Sequence, residues 1–237
     1  KNLNQKNAVL KQDLEPFVQK IISYTDEING GFKGAPKFPQ FYIFDTILHF
    51  HNKTNNKKYL DVVEKLLLSI SSKGIYDHLE GGISRYTVDE KWIVPHFEKM
   101  LYDNIQYVNL LNNYLINKEN DYLKRKLKQT ISFINSEFLI KNNMLGSAYD
   151  ADSDGVEGKY YVWKYQELKE ILGNELEIFR QKYQISEYGN FEGSNILVEN
   201  LDTNISEVSR IAEIEQKLLE IRKKRNKPFF DDKAQTD

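Results

Sequence analysis

The chain has 237 residues, no cysteine, and 33 basic against 35 acidic side chains, which gives a formal net charge of −2. This balance excludes a protein that binds nucleic acid through bulk positive charge. The missing cysteines exclude a disulfide scaffold, a thiolate metal site and a cysteine nucleophile. Because the chain contains no long uncharged apolar run and no signal-peptide-like start, we expect a cytoplasmic protein with no membrane partner.

Apolar residues recur at helical spacing along most of the chain and predict a mainly α-helical protein. The stripes, in chain order, are Leu10, Leu14, Phe17, Ile21; Phe41, Phe44, Leu48; Leu60, Val63, Leu67, Ile70; Phe97, Leu101, Ile105, Val108, Leu111, Leu115; Leu123, Leu127, Ile131, Ile134, Phe138; and Ile205, Val208, Ile211, Ile214, Leu218, Ile221. Asn204 and Glu207 are spaced like the N-cap and box partner of the last helix. Short turns between paired stripes indicate αα-hairpins, and we treat residues 1–237 as a single domain.

Three long glycine-bearing connections interrupt the helices, at 29–40, 73–95 and 142–163. Helix–helix connections usually have about 2–8 residues, and longer ones tend to be functional. Within them, the β-branched and aromatic segments SRYTV (84–88) and KYYVW (159–163) are predicted to form short strands.

The densest polar cluster is VPHFEKMLYDN, residues 94–104. Pro95 suits the first turn of a helix, so we expect His96 at a helix N-terminus, where the dipole favours the neutral imidazole. A neutral imidazole can act as a base or donate a hydrogen bond to a substrate oxygen. On this helix Asp103 would share a face with His96, and Glu98 would lie on the adjacent face. A capped helix with solvated charges is the alternative.

The loop SAYDADSDGVEG carries the start of a calcium-loop pattern, formed by Asp150, Asp152, Asp154 and Gly155. Tyr161 stands where the bidentate glutamate belongs, which argues against an EF-hand and leaves a looser calcium site or a self-capped polar turn. Crowded aspartates raise the pKa of at least one of them, and glycoside chemistry needs one protonated and one ionised carboxyl. With only four histidines and no cysteine, we expect no metal and no cofactor.

Several longer strings resemble one family: GGFKGAPKFP, YDHLEGGISRYTVDEKWIVPHFEKMLYDN, SAYDADSDGVEGKYYVW and RKKRNKPFFDDK. They are similar to thioredoxin-domain-containing proteins of the spermatogenesis-associated protein 20 type, from about residue 29 onward. The resemblance implies a thioredoxin-like domain in the full-length parent, followed by a barrel like those of six-hairpin glycosidases and N-acylglucosamine 2-epimerases. The chain would then be all-α, a fragment that holds αα-hairpins forming part of an (α/α)6 toroid with short β segments in the loops. The family's motif positions in this sequence are Arg85, Tyr86, Trp92, His96, Glu98, Asp103, Asp150, Asp152, Glu157, Asp231, Asp232 and Lys233.

Two functional hypotheses follow. In the first, the chain is a sugar-directed, epimerase- or glycosidase-like domain of carbohydrate metabolism, with an acid/base cleft that binds a small molecule at the loop end of the barrel. The catalytic residues would be His96 as acid/base with Glu98 or Asp152 as its carboxylate partner. Substrate would be bound by Arg85 as anchor, Trp92 as stacking wall, Tyr86, Asp103 and Asp150. In the second, the chain is a non-catalytic binding or structural module beside a thioredoxin-like redox domain, and Arg85 is paired with a carboxylate.

Overall fold

The computed structural model describes residues 14–201 and 207–234. The α-helices are α1 (14–23), α2 (Phe41–Thr54), α3 (Lys57–Ser72), α4 (Leu101–Asn117), α5 (Asp121–Phe133), α6 (Tyr165–Leu172), α7 (Glu175–Lys182) and α8 (Val208–Arg222). A π-helical turn, Ile134–Phe138, continues α5, and a 3-10 turn covers Lys141–Asn143. The strands are two-residue pieces: β1 (Tyr86–Thr87), β2 (Pro95–His96), β3 (Lys99–Met100), β4 (Ala148–Tyr149), β5 (Asp152–Ser153), β6 (Val156–Glu157) and β7 (Phe230–Asp231). The predicted all-α class with short β segments in the loops is confirmed.

Consecutive helices pack as hairpins joined by tight turns. Asn55 ends α2 in the left-handed conformation, with φ 56°, and the side chain of Asn56 accepts a hydrogen bond from the Lys58 amide at 3.1 Å to cap α3. Asn120 caps α5 in the same way by accepting from the Leu123 amide at 3.0 Å. Helices α2, α4 and α5 pack against α3, and α7 packs against α8. The predicted αα-hairpins are therefore present.

The apolar residues of these helices form two large clusters. The first fills the space between α2, α3, α4 and α5 and includes tyrosines as well as aliphatic side chains. The second joins α6, α7 and α8 around Trp163, Phe179 and Leu218. Burial of such side chains contributes about 1.5–3 kcal/mol each to folding. The hairpins thus form a fixed frame for the long connections.

Four of the predicted apolar stripes contain residues that the structure exposes. In α5 and α8 the deviation is a single residue each, Ile131 and Val208, and the stripes of α1 and α4 also differ from the buried faces. In α1, Leu14 and Phe17 are 48% and 59% exposed, whereas Val18 and Ile22 are buried. The reason is that the side of α1 that packs against the core is one position further along than the predicted stripe. In α4, Ile105 is exposed and the buried row includes Asn104 and Tyr107, polar residues that the apolar stripe omitted. Leu10, Asn204 and Ile205 lie outside the described residues.

The short strands pair locally and across long distances. β1 pairs with β2, β4 lies between β3 and β7, and β5 forms a hairpin with β6, all antiparallel. The strand predicted within 84–88 is confirmed. The strand predicted at 159–163 is wrong, because the amides of Tyr161 and Val162 both donate to the Gly158 carbonyl and close a turn. Within the described ranges, no helix has the length and apolar composition required to cross a membrane.

Candidate active site

Residues 94–100 form an extended segment, and α4 begins only at Leu101. The predicted helix start at Pro95 is wrong because the segment is drawn into pairing on both sides, with β1 through Pro95–His96 and with β4 through Lys99–Met100. Side chains alternate along extended backbone, so Phe97 and Lys99 are buried while His96 and Glu98 share the more open side. The helix dipole therefore does not act on His96.

The imidazole of His96 is held by a carboxylate and an aromatic ring. Its Nδ1 lies 2.7 Å from Oε1 of Glu157, and both side chains are partly exposed. Its ring stacks on Tyr86, the residue opposite it in the β1–β2 ladder, with centroids 5.0 Å apart, and Tyr86 stacks in turn on Phe38 at 4.6 Å. With Nδ1 facing Glu157, the other ring nitrogen, Nε2, is the one left to meet a ligand.

The carboxylate partner of His96 is neither of the two predicted residues. Glu98 instead accepts a hydrogen bond at 3.0 Å from Nη1 of Arg85, and the Arg85 amide donates to the Glu98 carbonyl at 2.9 Å. Asp152 lies directly opposite Glu157 in the β5–β6 hairpin, so the two carboxylates are cross-strand neighbours and Glu157 is the one that reaches the imidazole. Glu157 was identified from the sequence only as a motif position of the resembled family, and no role was predicted for it.

Asp103 stands beside the Arg85–Glu98 pair, in the first turn of α4. Its Oδ2 is buried and receives no hydrogen bond within the part of the chain that the structure describes. Burial raises the pKa of this carboxyl to about 7, reinforced by Glu98 and opposed by Arg85. Asp103 can therefore exchange a proton near neutral pH.

Three residues predicted to bind substrate or to act in catalysis form no hydrogen bond, ion pair or ring contact with the side chain of His96: Trp92, Asp150 and Asp152. Trp92 is fully buried, with its Nε1 donating to the Asn29 carbonyl at 2.9 Å and Lys37 Nζ lying 5.0 Å from its ring centroid. It has no face open to a ligand, so its prediction as a stacking wall is wrong. Asp150 and Asp152 are exposed, and Oδ1 of Asp150 accepts from the Ala151 amide at 2.7 Å.

The aspartates of the third loop are also spread apart. Asp154 is bonded to Lys159 at 2.9 Å and to Asn226, and the Lys159 hydrogen bond lowers the pKa of the Asp154 carboxyl. Among residues 14–201 and 207–234, no cluster of three histidine, aspartate or glutamate side chains has the spacing of a metal site.

A cavity of about 470 Å³ adjoins the His96–Glu157 pair, because Glu157 forms part of its wall. Aromatic surface comes from Tyr160 and Phe191, and Arg225 closes one side. Arg225 donates to Glu167 at 2.7 Å and to the carbonyls of Tyr160 and Val162 at 2.9 Å. Phe191 and Arg225 come from segments distant in sequence, so no local pattern could have pointed to them.

A buried ion cluster fixes the segment that carries His96. Asp77 accepts hydrogen bonds from both terminal nitrogens of Arg222, at 2.8 and 2.9 Å, and from Lys99 at 2.8 Å. Burial acts to raise the pKa of the Asp77 carboxyl, but Arg222 and Lys99 hold it well below its usual range. Arg222 also contacts Glu80 at 3.2 Å. The end of α8 is thereby bound to the second loop and to the residue three positions after His96.

The comparisons with known proteins confirm the resemblance drawn from the motifs. The chain is 27% identical to spermatogenesis-associated protein 20 of Homo sapiens and of Mus musculus over 91% of its length. It is 32% identical, over 61% of its length, to an uncharacterised protein of Caenorhabditis elegans. The chain spans 32% of the mammalian proteins and 22% of the nematode protein. No protein-family model matches it.

Among solved structures, a cellobiose 2-epimerase from Spirochaeta thermophila is similar to part of the chain. The superposition covers 58% of this chain and 41% of the epimerase, with a TM-score of 0.48 and 17% sequence identity.

Proposed function

We propose that the chain is a sugar-directed, enzyme-like domain in which His96 acts as an acid/base, oriented by Glu157. The observation that carries this proposal is the 2.7 Å contact between His96 Nδ1 and Oε1 of Glu157, a residue that lines a cavity of about 470 Å³. A carboxylate bonded to one imidazole nitrogen fixes the tautomer and directs the other nitrogen to the substrate. Nε2 would take a proton from, or return it to, a sugar hydroxyl or a carbon beside a carbonyl.

Asp103 is proposed as the second titrating group. Its raised pKa lets it hold a proton near pH 7, as a general acid requires. Arg85, which is paired with Glu98, and Tyr86, which stacks on His96, are proposed to bind substrate. The exposed Asp150 is proposed to bind substrate from the third loop. Asp152 would act next to Glu157 on the same hairpin face.

The cavity beside the pair suits an uncharged, hydroxyl-rich ligand. Within its wall Lys159 is paired with Asp154 and Arg225 with Glu167, so most of its charges are already neutralised. The rest of the wall carries one lysine and two glutamates together with aromatic rings and hydroxyl groups: Lys164, Glu157, Glu192, Tyr160, Phe191, Ser153 and Ser194. Aromatic surface with a few polar groups is the usual lining of a site for a polar small molecule.

The resemblance supports a wider setting for this site. We propose that the hairpins form part of an (α/α)6 toroid and that the full-length parent also contains a thioredoxin-like domain. Carbohydrate is then the substrate class, and the small molecule would reach the site from the end that carries the long connections.

The test is conversion of a panel of mono- and disaccharides, followed by proton NMR in D2O, for the wild type and two near-isosteric variants. His96→Gln and Glu157→Gln should each abolish epimerisation, hydrolysis or deuterium uptake, with no loss of cooperative thermal unfolding. His49→Gln, on an exposed position of α2, is the matched control and should retain full turnover. Turnover that persists in both His96→Gln and Glu157→Gln would contradict the proposal.

The Arg85–Glu98 pair favours a second candidate, a non-catalytic module that accompanies a redox domain. In that case the polar groups of the second loop satisfy one another and serve to hold its shape. The wild type would convert no sugar in the panel, and Glu98→Gln would lower the unfolding midpoint while His96→Gln would leave it unchanged.

A further inference from the structure

A second polar cavity, of about 590 Å³, lies away from the site described above and shares no lining residue with it. It is bounded by the first half of α5, the end of α7, residues 199–201 and one face of α8. Cavities of roughly 300–1,000 Å³ are the size that binds small molecules.

The floor of this cavity is a buried carboxylate surrounded by donors. Glu199 lies 3.1 Å from Lys126 Nζ, 3.4 Å from Lys182 Nζ and within hydrogen-bond reach of the Tyr122 hydroxyl. Burial acts to raise the pKa of Glu199, but the charges of Lys126 and Lys182 hold it below its usual range. The carboxylate is therefore ionised and already satisfied by this chain.

His78 is neutral in this arrangement. Its Nε2 lies 3.0 Å from the Lys73 carbonyl, which requires a proton on Nε2, and its Nδ1 accepts from Lys126 Nζ at 3.0 Å. Burial lowers the pKa of His78, in agreement with this tautomer, and burial lowers the pKa of Lys126 to about 8. At neutral pH most of Lys126 remains charged.

The charges of the cavity do not cancel. Three cations, Arg125, Lys126 and Lys182, face two carboxylates, Glu199 and Glu215. Glu215 accepts hydrogen bonds from Lys182 Nζ at 2.6 Å and from the Tyr183 hydroxyl at 2.7 Å. The guanidinium of Arg125 lies 5.9 Å from the Tyr122 ring, and it forms no ion pair with any residue in the two described ranges. Among the described residues that line the cavity, Arg125 is therefore the cation that has no carboxylate partner.

We propose that this cavity binds a small molecule that carries one anionic group, a carboxylate or a phosphate ester, anchored by the guanidinium of Arg125. Arginine presents parallel donors that match both groups in a bidentate geometry. The N-terminal end of α5, capped by Asn120 at the cavity wall, adds a favourable positive dipole. The ligand's remaining polar atoms would meet Lys182 and the side-chain oxygen of Asn200. This site is independent of the function proposed for His96.

Binding can be measured by calorimetry and by thermal unfolding with three probes at up to about 10 mM: glucuronate, glucose 6-phosphate and uncharged glucose. We expect glucuronate, glucose 6-phosphate or both to bind and raise the unfolding temperature, whereas glucose does not. The stronger of the two anions identifies whether the natural ligand carries a carboxylate or a phosphate.

Arg125→Gln should weaken the binding of the preferred anion by about tenfold or more, since it removes a charge-assisted bidentate contact. Lys128→Gln removes the same charge from an exposed position one turn further along α5 and should leave the affinity unchanged. Equal losses in the two variants would show nonspecific charge attraction and overturn the proposal. So would equal binding of glucose, or no binding of either anion to the wild type.

Discussion

Replacing Asp77 by asparagine should be among the most destabilising single changes in this chain. The side chain keeps its size, and its oxygen can still accept from the Leu79 amide at 3.1 Å. What is lost is the negative charge that faces Arg222 and Lys99, and both of these cations are at most 2% exposed. Neither of them can turn to water without disrupting the packing around it.

The magnitude follows from the burial of the cluster. Removing one partner of a buried ion pair costs about 3–5 kcal/mol, because the other charge is left without compensation in a region of low dielectric. Two cations lose their partner here, and Glu80, which also contacts Arg222, offsets part of the loss. We therefore expect a loss of about 4 kcal/mol in the free energy of unfolding. With an m-value near ~2 kcal/mol/M, the urea midpoint would fall by about 2 M.

The assay is urea unfolding followed by circular dichroism and by tryptophan fluorescence. Glu64→Gln is the matched control, since it breaks an ion pair of the same length, 2.8 Å, with Lys118, whose side chain is 47% exposed. Exposed pairs contribute about 0–1 kcal/mol, so this variant should unfold close to the wild type. A loss below about 1 kcal/mol in Asp77→Asn, equal to that of the control, would refute the reasoning from burial.

Two further predictions follow from backbone and protonation. Gly82→Ala should destabilise the fold by at least ~2 kcal/mol, because the residue has φ +81° and its new Cβ would lie 2.4 Å from the Phe133 ring. Gly155→Ala is the control: it has φ +71° but open space around the new Cβ, so it should cost about 1 kcal/mol. Equal urea midpoints for the two variants would contradict the steric argument. For Asp103, burial raises the pKa from 3.8 to about 7. Between these two pH values the folded state therefore keeps a proton that the unfolded chain has lost. The stabilisation that this provides is complete below pH 4 and is lost as pH rises through 7. Asp103→Asn should flatten this fall, measured as the difference in unfolding free energy between pH 4.5 and pH 8, and parallel curves for the two proteins would rule it out.

Local periodicity correctly predicted the buried faces of α2 and α3, helices that have one apolar face and no strand pairing along their sequence. In α3, Leu60, Val63, Leu67 and Ile70 are all buried, as their spacing indicated. The same holds for Phe41, Phe44 and Leu48 in α2. These patterns are reliable because an amphipathic helix buries its apolar stripe against whichever neighbour the chain supplies.

The segment before α4 could not be assigned in this way. Phe97 and Leu101 are four positions apart and fit a helix, while the burial of Phe97 and Lys99 follows the period of a strand. The extended conformation is stabilised by β1 and β4, which pair with the backbone of this segment at Pro95–His96 and at Lys99–Met100. The buried ammonium of Lys99 is compensated by Asp77 at 2.8 Å and by the Gly81 carbonyl at 3.0 Å, both from the second loop.

The sequence by itself determined the all-α class and the hairpins, and it located the densest cluster of polar residues at 94–104. Tertiary structure decided which carboxylate meets His96, where Trp92 is placed, and that Arg222 reaches Asp77 across 145 positions of the chain. The physical reason is a difference in range. Side-chain periodicity acts over a few residues and is written in the local sequence, whereas the partner of a charge is set by packing between elements that are far apart along the chain.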